Sequence, residues 1–192
     1  MTDTLELVAL SGSLRAGSYN TALLRALLEL APATLQFTLH TIAGIPVYNG
    51  DDEHAHGLPE AVIALRKAIR QSDGLVIATP EYNHGVPGGL KNAIDWCSRP
   101  PAPHGLFGVP TAILGASDGM IGTARAQYAL RQTLVTLNAP TLPFPQVLVA
   151  QAQHKINADG RLTDEATRTF IASWLVDVDR WMRRFPRSER AM

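Results

Sequence analysis

The sequence predicts an α/β fold: a five-stranded parallel sheet in the order 2-1-3-4-5 with helices on both faces. Three observations carry that expectation. Short apolar runs of strand length alternate with amphipathic helical stripes along the 192 residues, the pattern that builds a parallel sheet. The third run, Gly74 to Thr79 (Gly-Leu-Val-Ile-Ala-Thr), is apolar on both faces, as a central parallel strand must be. The segments leaving the first, third and fourth runs are rich in Ser, Asn, Gly and Tyr. In that strand order these three are neighbours, so their loops converge where such sheets bind ligands, beyond the carboxyl ends of the strands.

The first run, Leu5 to Leu10, has the length of a buried strand and stops at Ser11 and Gly12. A helix is predicted from near Tyr19, with Ala22, Leu23, Ala26, Leu27 and Leu30 on one face. Pro32 breaks it. Leu35, Phe37 and Leu39 then alternate with polar partners up to Thr41, a strand nearer an edge. Gly44, Pro46, Asn49, Gly50 and the acids Asp51, Asp52 and Glu53 make Ala43 to Gly57 a loop by composition. The next helix carries Leu58, Ala61, Val62, Leu65, Ala68 and Ile69 as one stripe. After the third strand, Pro80 to Gly89 form a loop, and a helix then aligns Leu90, Ala93, Ile94 and Cys97. Pro100, Pro101 and Pro103 mark another loop. Val109 to Ala116 is the fourth strand, followed by a long helix to about Asn138 with Ala126, Leu130, Leu134 and Leu137 inward. Gln146 to Ala150 fits a fifth strand, Asp159-Gly160 a turn. The last helix is expected to bury Ile171, Trp174, Leu175, Val178, Trp181 and Phe185. With no repeat, low-complexity run or linker, residues 1–192 are expected to form one domain.

Composition removes several functions. Lys plus Arg and Asp plus Glu both number 17, giving zero formal charge. No basic excess points to nucleic acid, and no acidic excess points to an electron carrier that docks electrostatically. The sole cysteine, Cys97, excludes an intrachain disulfide framework and any multi-cysteine zinc or iron–sulfur centre. It falls on the apolar stripe of its helix, where buried thiols are inert. Asp3 and Glu6 stand where a signal peptide needs basic residues and a long apolar core. No apolar stretch approaches the roughly 20 residues of a spanning helix. A cytoplasmic protein without membrane or nucleic-acid partner is therefore expected. His54-Ala55-His56 has no third ligand, so no metal is assigned. Arg183, Arg184, Arg187 and Arg190 are expected to form a solvated helix end.

The stretch Leu10-Ser-Gly-Ser-Leu-Arg-Ala-Gly-Ser-Tyr-Asn20 is the richest in chemistry. A strand that delivers Ser11, Ser13, Arg15, Ser18 and Asn20 to a helix N-terminus gathers hydroxyls, free backbone N–H groups and the positive end of the helix dipole. That combination suits a phosphate, the plainer alternative being that Ser18 only caps the helix. No Gly-Lys-Ser/Thr ends the loop, and Gly12 to Gly17 lacks the Gly-x-Gly-x-x-Gly spacing. A monophosphate held by hydroxyls, backbone and one arginine remains.

Taken together, Gly12-Ser13-Leu14-Arg15-Ala16-Gly17-Ser18-Tyr19-Asn20, Thr79-Pro80-Glu81-Tyr82-Asn83 and Pro87-Gly88-Gly89-Leu90-Lys91-Asn92-Ala93-Ile94-Asp95-Trp96 resemble the NADPH-dependent FMN reductase family, closest to its bacterial chromate/quinone reductase branch. Gly122 to Gln132 is similar to that branch's fourth helix. The resemblance implies a flavodoxin-like three-layer sandwich. It implies that Ser13, Arg15, Ser18 and Asn20, with the nearby Leu14 and Tyr19, hold the FMN phosphate. Glu81, Tyr82, Asn83 and His84, beside Pro80, would lie along the ribityl chain and isoalloxazine, with Ser117 at the flavin's other flank. Many relatives have serine at the position of Gly85 and an aromatic at that of His84, so pocket polarity here departs from the family's.

The activity so implied is hydride transfer from NADPH or NADH to bound FMN, then reduction of a quinone or another small acceptor such as chromate or an azo compound. Flavin supplies the redox chemistry, so no side chain is assigned a catalytic role. Tyr82 is expected to border the ring. His84 reads equally as a donor and as a solvated loop residue. Arg125 and Tyr128 face either a subunit interface or solvent in the homodimer or homotetramer that the family implies. Three other readings stay open: a reductase that releases reduced flavin to a partner monooxygenase, a non-enzymatic electron carrier, and a phosphate-ligand sensor with no redox role.

Overall fold

Alternation along the strands decides the layers. In β1 (Leu5–Ser11), Leu7 and Ala9 point to one face while Val8 and Leu10 point to the other, and both sets are buried. The same two-sided burial runs through β3 (Gly74–Ala78) and β4 (Thr111–Ala116), every residue of which is buried. β2 (Leu35–Thr41) and β5 (Val147–Val149) close the edges. The computed structural model describes residues 3–190, and its strands are all parallel in the order β2-β1-β3-β4-β5. This is the expected flavodoxin-like arrangement.

Helices α1 (Tyr19–Leu30) and α6 (Glu165–Met182) cover one face through Leu23, Leu27, Ile171, Trp174 and Val178. Helices α3 (Glu60–Gln71), α4 (Gly88–Cys97) and α5 (Ala124–Thr136) cover the other through Leu65, Ile69, Leu90, Ile94, Leu130 and Leu134. Each fully buried Leu or Ile contributes about 1.5–3 kcal/mol relative to exposure, so the two cores hold the sheet rigid beneath its loops. No helix among the described residues is long and apolar enough to cross a membrane.

Three expectations need correction. Ala43 to Gly57 is not all loop: α2 spans Gly50–His56, capped by the Asn49 side chain on Asp51 N–H, with Asp51, Asp52 and Glu53 in its first turn. It buries no residue, so it has no apolar stripe and only its caps betray it. The loop before it is tied to α4, because the Asn92 side chain accepts from Tyr48 N–H at 2.8 Å and Trp96 Nε1 donates to the Pro46 carbonyl at 2.9 Å.

The basic C-terminal end is not solvated throughout. Arg190 is buried and donates to the Ser72 carbonyl at 2.8 Å and to the Asp73 carbonyl. Arg187 donates to the Gln71 carbonyl. Cations meeting the carbonyl end of α3 satisfy its orphan acceptors, and burial pushes the Arg190 guanidinium down to about 10. Finally, α6 ends at Met182, which is buried, while Trp181 and Phe185 are half-buried. Phe185 lies past the helix and packs against Trp181, ring centroids 5.1 Å apart and planes tilted by 58°.

Candidate functional site

Strand register brings the loops together. Ser11 lies opposite Ala78, and Ala78 opposite Leu114; β1 and β3 stop level, β4 runs two residues further to Ala116, and the three loops leave the same carboxyl edge of the sheet. They enclose a cleft of about 540 Å³, inside the roughly 300–1,000 Å³ range of small-molecule and cofactor sites.

The first wall is the Gly12–Ser18 loop. A Cβ at Gly12 would lie 2.8 Å from Leu90 Cδ2 and 3.0 Å from the Ala78 carbonyl, so only glycine lets the chain turn this close to β3. The Ser11 hydroxyl pairs with that of Thr21 at 2.8 Å, and the Ser13 hydroxyl accepts from Arg15 N–H at 3.3 Å. Ser18 is the N-cap of α1, its Oγ accepting from Thr21 N–H at 3.3 Å. Its own hydroxyl proton stays free to donate. Among the described residues, neither the Tyr19 and Asn20 N–H groups nor the Arg15 guanidinium takes a partner. Donors left unmatched at the positive end of a helix are what an anion requires.

The second wall follows β3. Tyr82 N–H donates to the Gly85 carbonyl at 3.2 Å and Gly85 N–H returns a bond to Tyr82 at 3.0 Å. Between them Asn83 (φ 50°) and His84 (φ 64°) are both left-handed. This is the two-residue type I′ turn, and Asn and His are among the few side chains that tolerate it. The turn holds Tyr82 half-exposed at the mouth. Nearby, Glu81 points inward, one carboxylate oxygen accepting Ala126 N–H at 3.1 Å and the other 3.7 Å from Arg125.

The third wall, Ser117 to Gly122, is drawn into a tight bend by the Ser117 hydroxyl, which donates to the Gly122 carbonyl at 2.5 Å. Gly122 has φ 61°, and a Cβ there would sit 2.9 Å from the Leu148 carbonyl carbon. Met120, 75% exposed, and Ile121 form an apolar lip. The Asn20 side-chain amide fastens the base of this wall, giving a hydrogen to the Ala116 carbonyl at 3.0 Å and accepting Ala116 N–H at 2.9 Å.

Of the residues nominated from sequence, Ser13, Arg15, Ser18, Tyr19, Asn20, Pro80, Glu81, Tyr82, Asn83, His84 and Ser117 all line the cleft. Leu14 does not, and its side chain is exposed. Sequence reasoning missed Ala116, Asp118, Gly119, Met120, Ile121, Gly122 and Arg125. The pair Gly119 and Gly122 directly after a central strand was the available signal. Tyr128 is exposed on α5. Cys97 is buried, and its burial pushes the thiol up to about 12. The donor-rich end, the rigid turn and the apolar lip fit an extended cofactor with a phosphate at one end and a flat ring system at the other, as in FMN.

Comparison with known proteins agrees. Residues 5–154 match the family model described as NADPH-dependent FMN reductase. The chain is 49% identical over 184 residues to an NAD(P)H-dependent FMN reductase of Pseudomonas aeruginosa, covering 96% of this chain and 98% of that protein. It is 44% identical over 186 residues to a quinone reductase of Escherichia coli K12, covering 96% and 98%. Among solved structures, the flavoenzyme NAD(P)H:(acceptor) oxidoreductase of Paracoccus denitrificans superposes with a TM-score of 0.85 at 36% identity, over 95% of this chain and all (100%) of that one.

Proposed function

The chain belongs to the NADPH-dependent FMN reductase family, and from that premise we propose that it is an FMN-dependent oxidoreductase taking hydride from NADPH or NADH and reducing a quinone or another small acceptor. The observation that carries this reading is the meeting of three strand-end loops around one cleft with unmatched donors at its α1 end. When bound there, FMN supplies the redox chemistry. The protein's part is binding and exclusion. Ser13, Arg15, Ser18 and the first-turn N–H groups of α1 receive the phosphate. The Tyr82–Gly85 turn and Ser117 hold the two sides of the ring system. Met120, Ile121 and Tyr82, exposed at the mouth, present an apolar edge on which a nicotinamide and then an acceptor can rest in turn. Leu14 contributes through its backbone, since its side chain points away from the cleft.

The acceptor is a small molecule, chromate and azo compounds included, and the chain acts in the cytoplasm. Tyr128, Val135 and Phe144 are exposed on α5 and the segment after it. These exposed apolar side chains support a homodimer or homotetramer that covers this side of the molecule. Purified protein tests the central proposal: absorption at about 450 nm, typical of bound flavin, should bleach anaerobically on adding NADPH or NADH. Protein that neither carries nor takes up FMN overturns it. The relative named as an FMN reductase favours a second reading, in which reduced flavin leaves as product for a partner. Flavin dissociation as fast as turnover would select it. A non-enzymatic carrier would leave the nicotinamide unoxidised.

A further inference from the structure

Helix α5 begins without a cap of its own. Thr123, at its N-cap, makes no side-chain bond to the first turn, because its hydroxyl accepts from the Gln127 amide at 3.1 Å. The acceptor comes from elsewhere: Glu81 Oε2 takes Ala126 N–H at 3.1 Å, from 45 positions earlier in the chain. The Glu81 side chain is only 8% exposed. Its nearest cation, Arg125, stands 3.7 Å away and is half in solvent, too loose a pair to account for burying a carboxylate. The positive end of α5 does account for it. At the opposite end of the same loop, the Asn20 amide spends two bonds on the Ala116 backbone. The Ala116–Ala126 segment, which forms the third wall, is thus pinned at both ends by side chains from the other two walls.

We propose that Glu81 is a positioning residue: it caps α5 from the loop after β3 and so fastens two walls of the cleft, which with Asn20 at the other end assembles the cofactor site before any cofactor enters. The proposal rests on the reading of the cleft as an FMN site. A wall already ordered spares binding the entropy of ordering it. Asn20 accordingly acts on FMN chiefly through Ala116, because two of its amide's bonds are committed there.

The test combines flavin-fluorescence titration with hydrogen exchange on the cofactor-free protein, using Glu81→Gln, Glu81→Ala, Asn20→Ala and the double Ala variant. Glu81→Ala should weaken FMN binding about tenfold, the scale of one lost helix cap, and speed exchange at residues 117–126. Glu81→Gln keeps a carbonyl oxygen for Ala126 N–H and should recover most of both effects. In the double variant the loss should fall short of the product of the single losses, because either release already frees the shared loop. Wild-type affinity and exchange in Glu81→Ala overturns the proposal. So does Glu81→Gln behaving like Glu81→Ala, or a double variant showing the full product. Wild-type protein that takes up no FMN counts instead against the proposed function, and the exchange rates still read the cap.

Discussion

Gly115, one residue before the end of β4, gives a sharp test of how the cleft floor is packed. A Cβ there would stand 2.0 Å from Thr123 Oγ1 and 2.5 Å from the Thr79 carbonyl oxygen. Ordinary contact begins at about 3.5 Å, so the hydroxyl would have to retreat by about 1.5 Å and the carbonyl by about 1 Å. Neither has an easy path. Thr123 is fully buried and β-branched, which stiffens its χ1, and the carbonyl belongs to the backbone at the end of β3. One added methylene in a packed core costs about 1–3 kcal/mol, and two rigid obstacles put Gly115→Ala near the upper figure. At about 2–4 °C per kcal/mol for a domain of this size, Tm should fall by about 6–12 °C. Circular dichroism melts measure it. Thr123→Ala in the Gly115→Ala background removes one obstacle and leaves the carbonyl, so it should restore part of the loss, a coupling of about 1 kcal/mol. A Gly115→Ala protein melting within about 2 °C of wild type, or a double variant whose losses simply add, would refute the packing argument.

Two further outcomes follow from buried and capping groups. Cys97, its thiol raised to about 12 by burial, should resist a thiol-specific disulfide reagent in the native protein and react with one equivalent on unfolding in urea; rapid native labelling contradicts the burial. Asp164 caps α6, accepting from Thr167 N–H at 2.9 Å and from the Thr167 hydroxyl at 2.5 Å, and these bonds hold its carboxyl below the usual range. The folded state therefore binds this proton less readily than the unfolded one. Its contribution is complete above about pH 3.9 and is lost as pH falls through the lower folded value. Asp164→Ala should cost about 1 kcal/mol at pH 7 and lose less stability than wild type on acidification, as read by urea melts at pH 7 and at about pH 3, below the unfolded carboxyl's value.

By itself the chain determined its layers and the place of its site. The apolar run of β1, the alternation in β2, the two-sided apolar run of β3 and the 3.6-residue stripes of α1, α3, α4 and α6 are local patterns, visible within a few residues. The Ser18 cap and the hydroxyl-rich start of α1 are local in the same sense. The tertiary structure alone decided what joins distant residues. α2 buries nothing and so left no periodic trace. Arg190 reads as solvated until α3 presents carbonyls to it. Glu81 and Asn20 line the cleft as their loops foretell, but that their side chains also answer backbone groups 45 and 96 positions away shows only in the fold. Arg125 and the Met120–Gly122 lip join the cleft only because β4 lies next to β3. Local patterns report which face a side chain takes. They carry no information on which distant donor will meet it, because that depends on how the strands are ordered and where each ends relative to its neighbour.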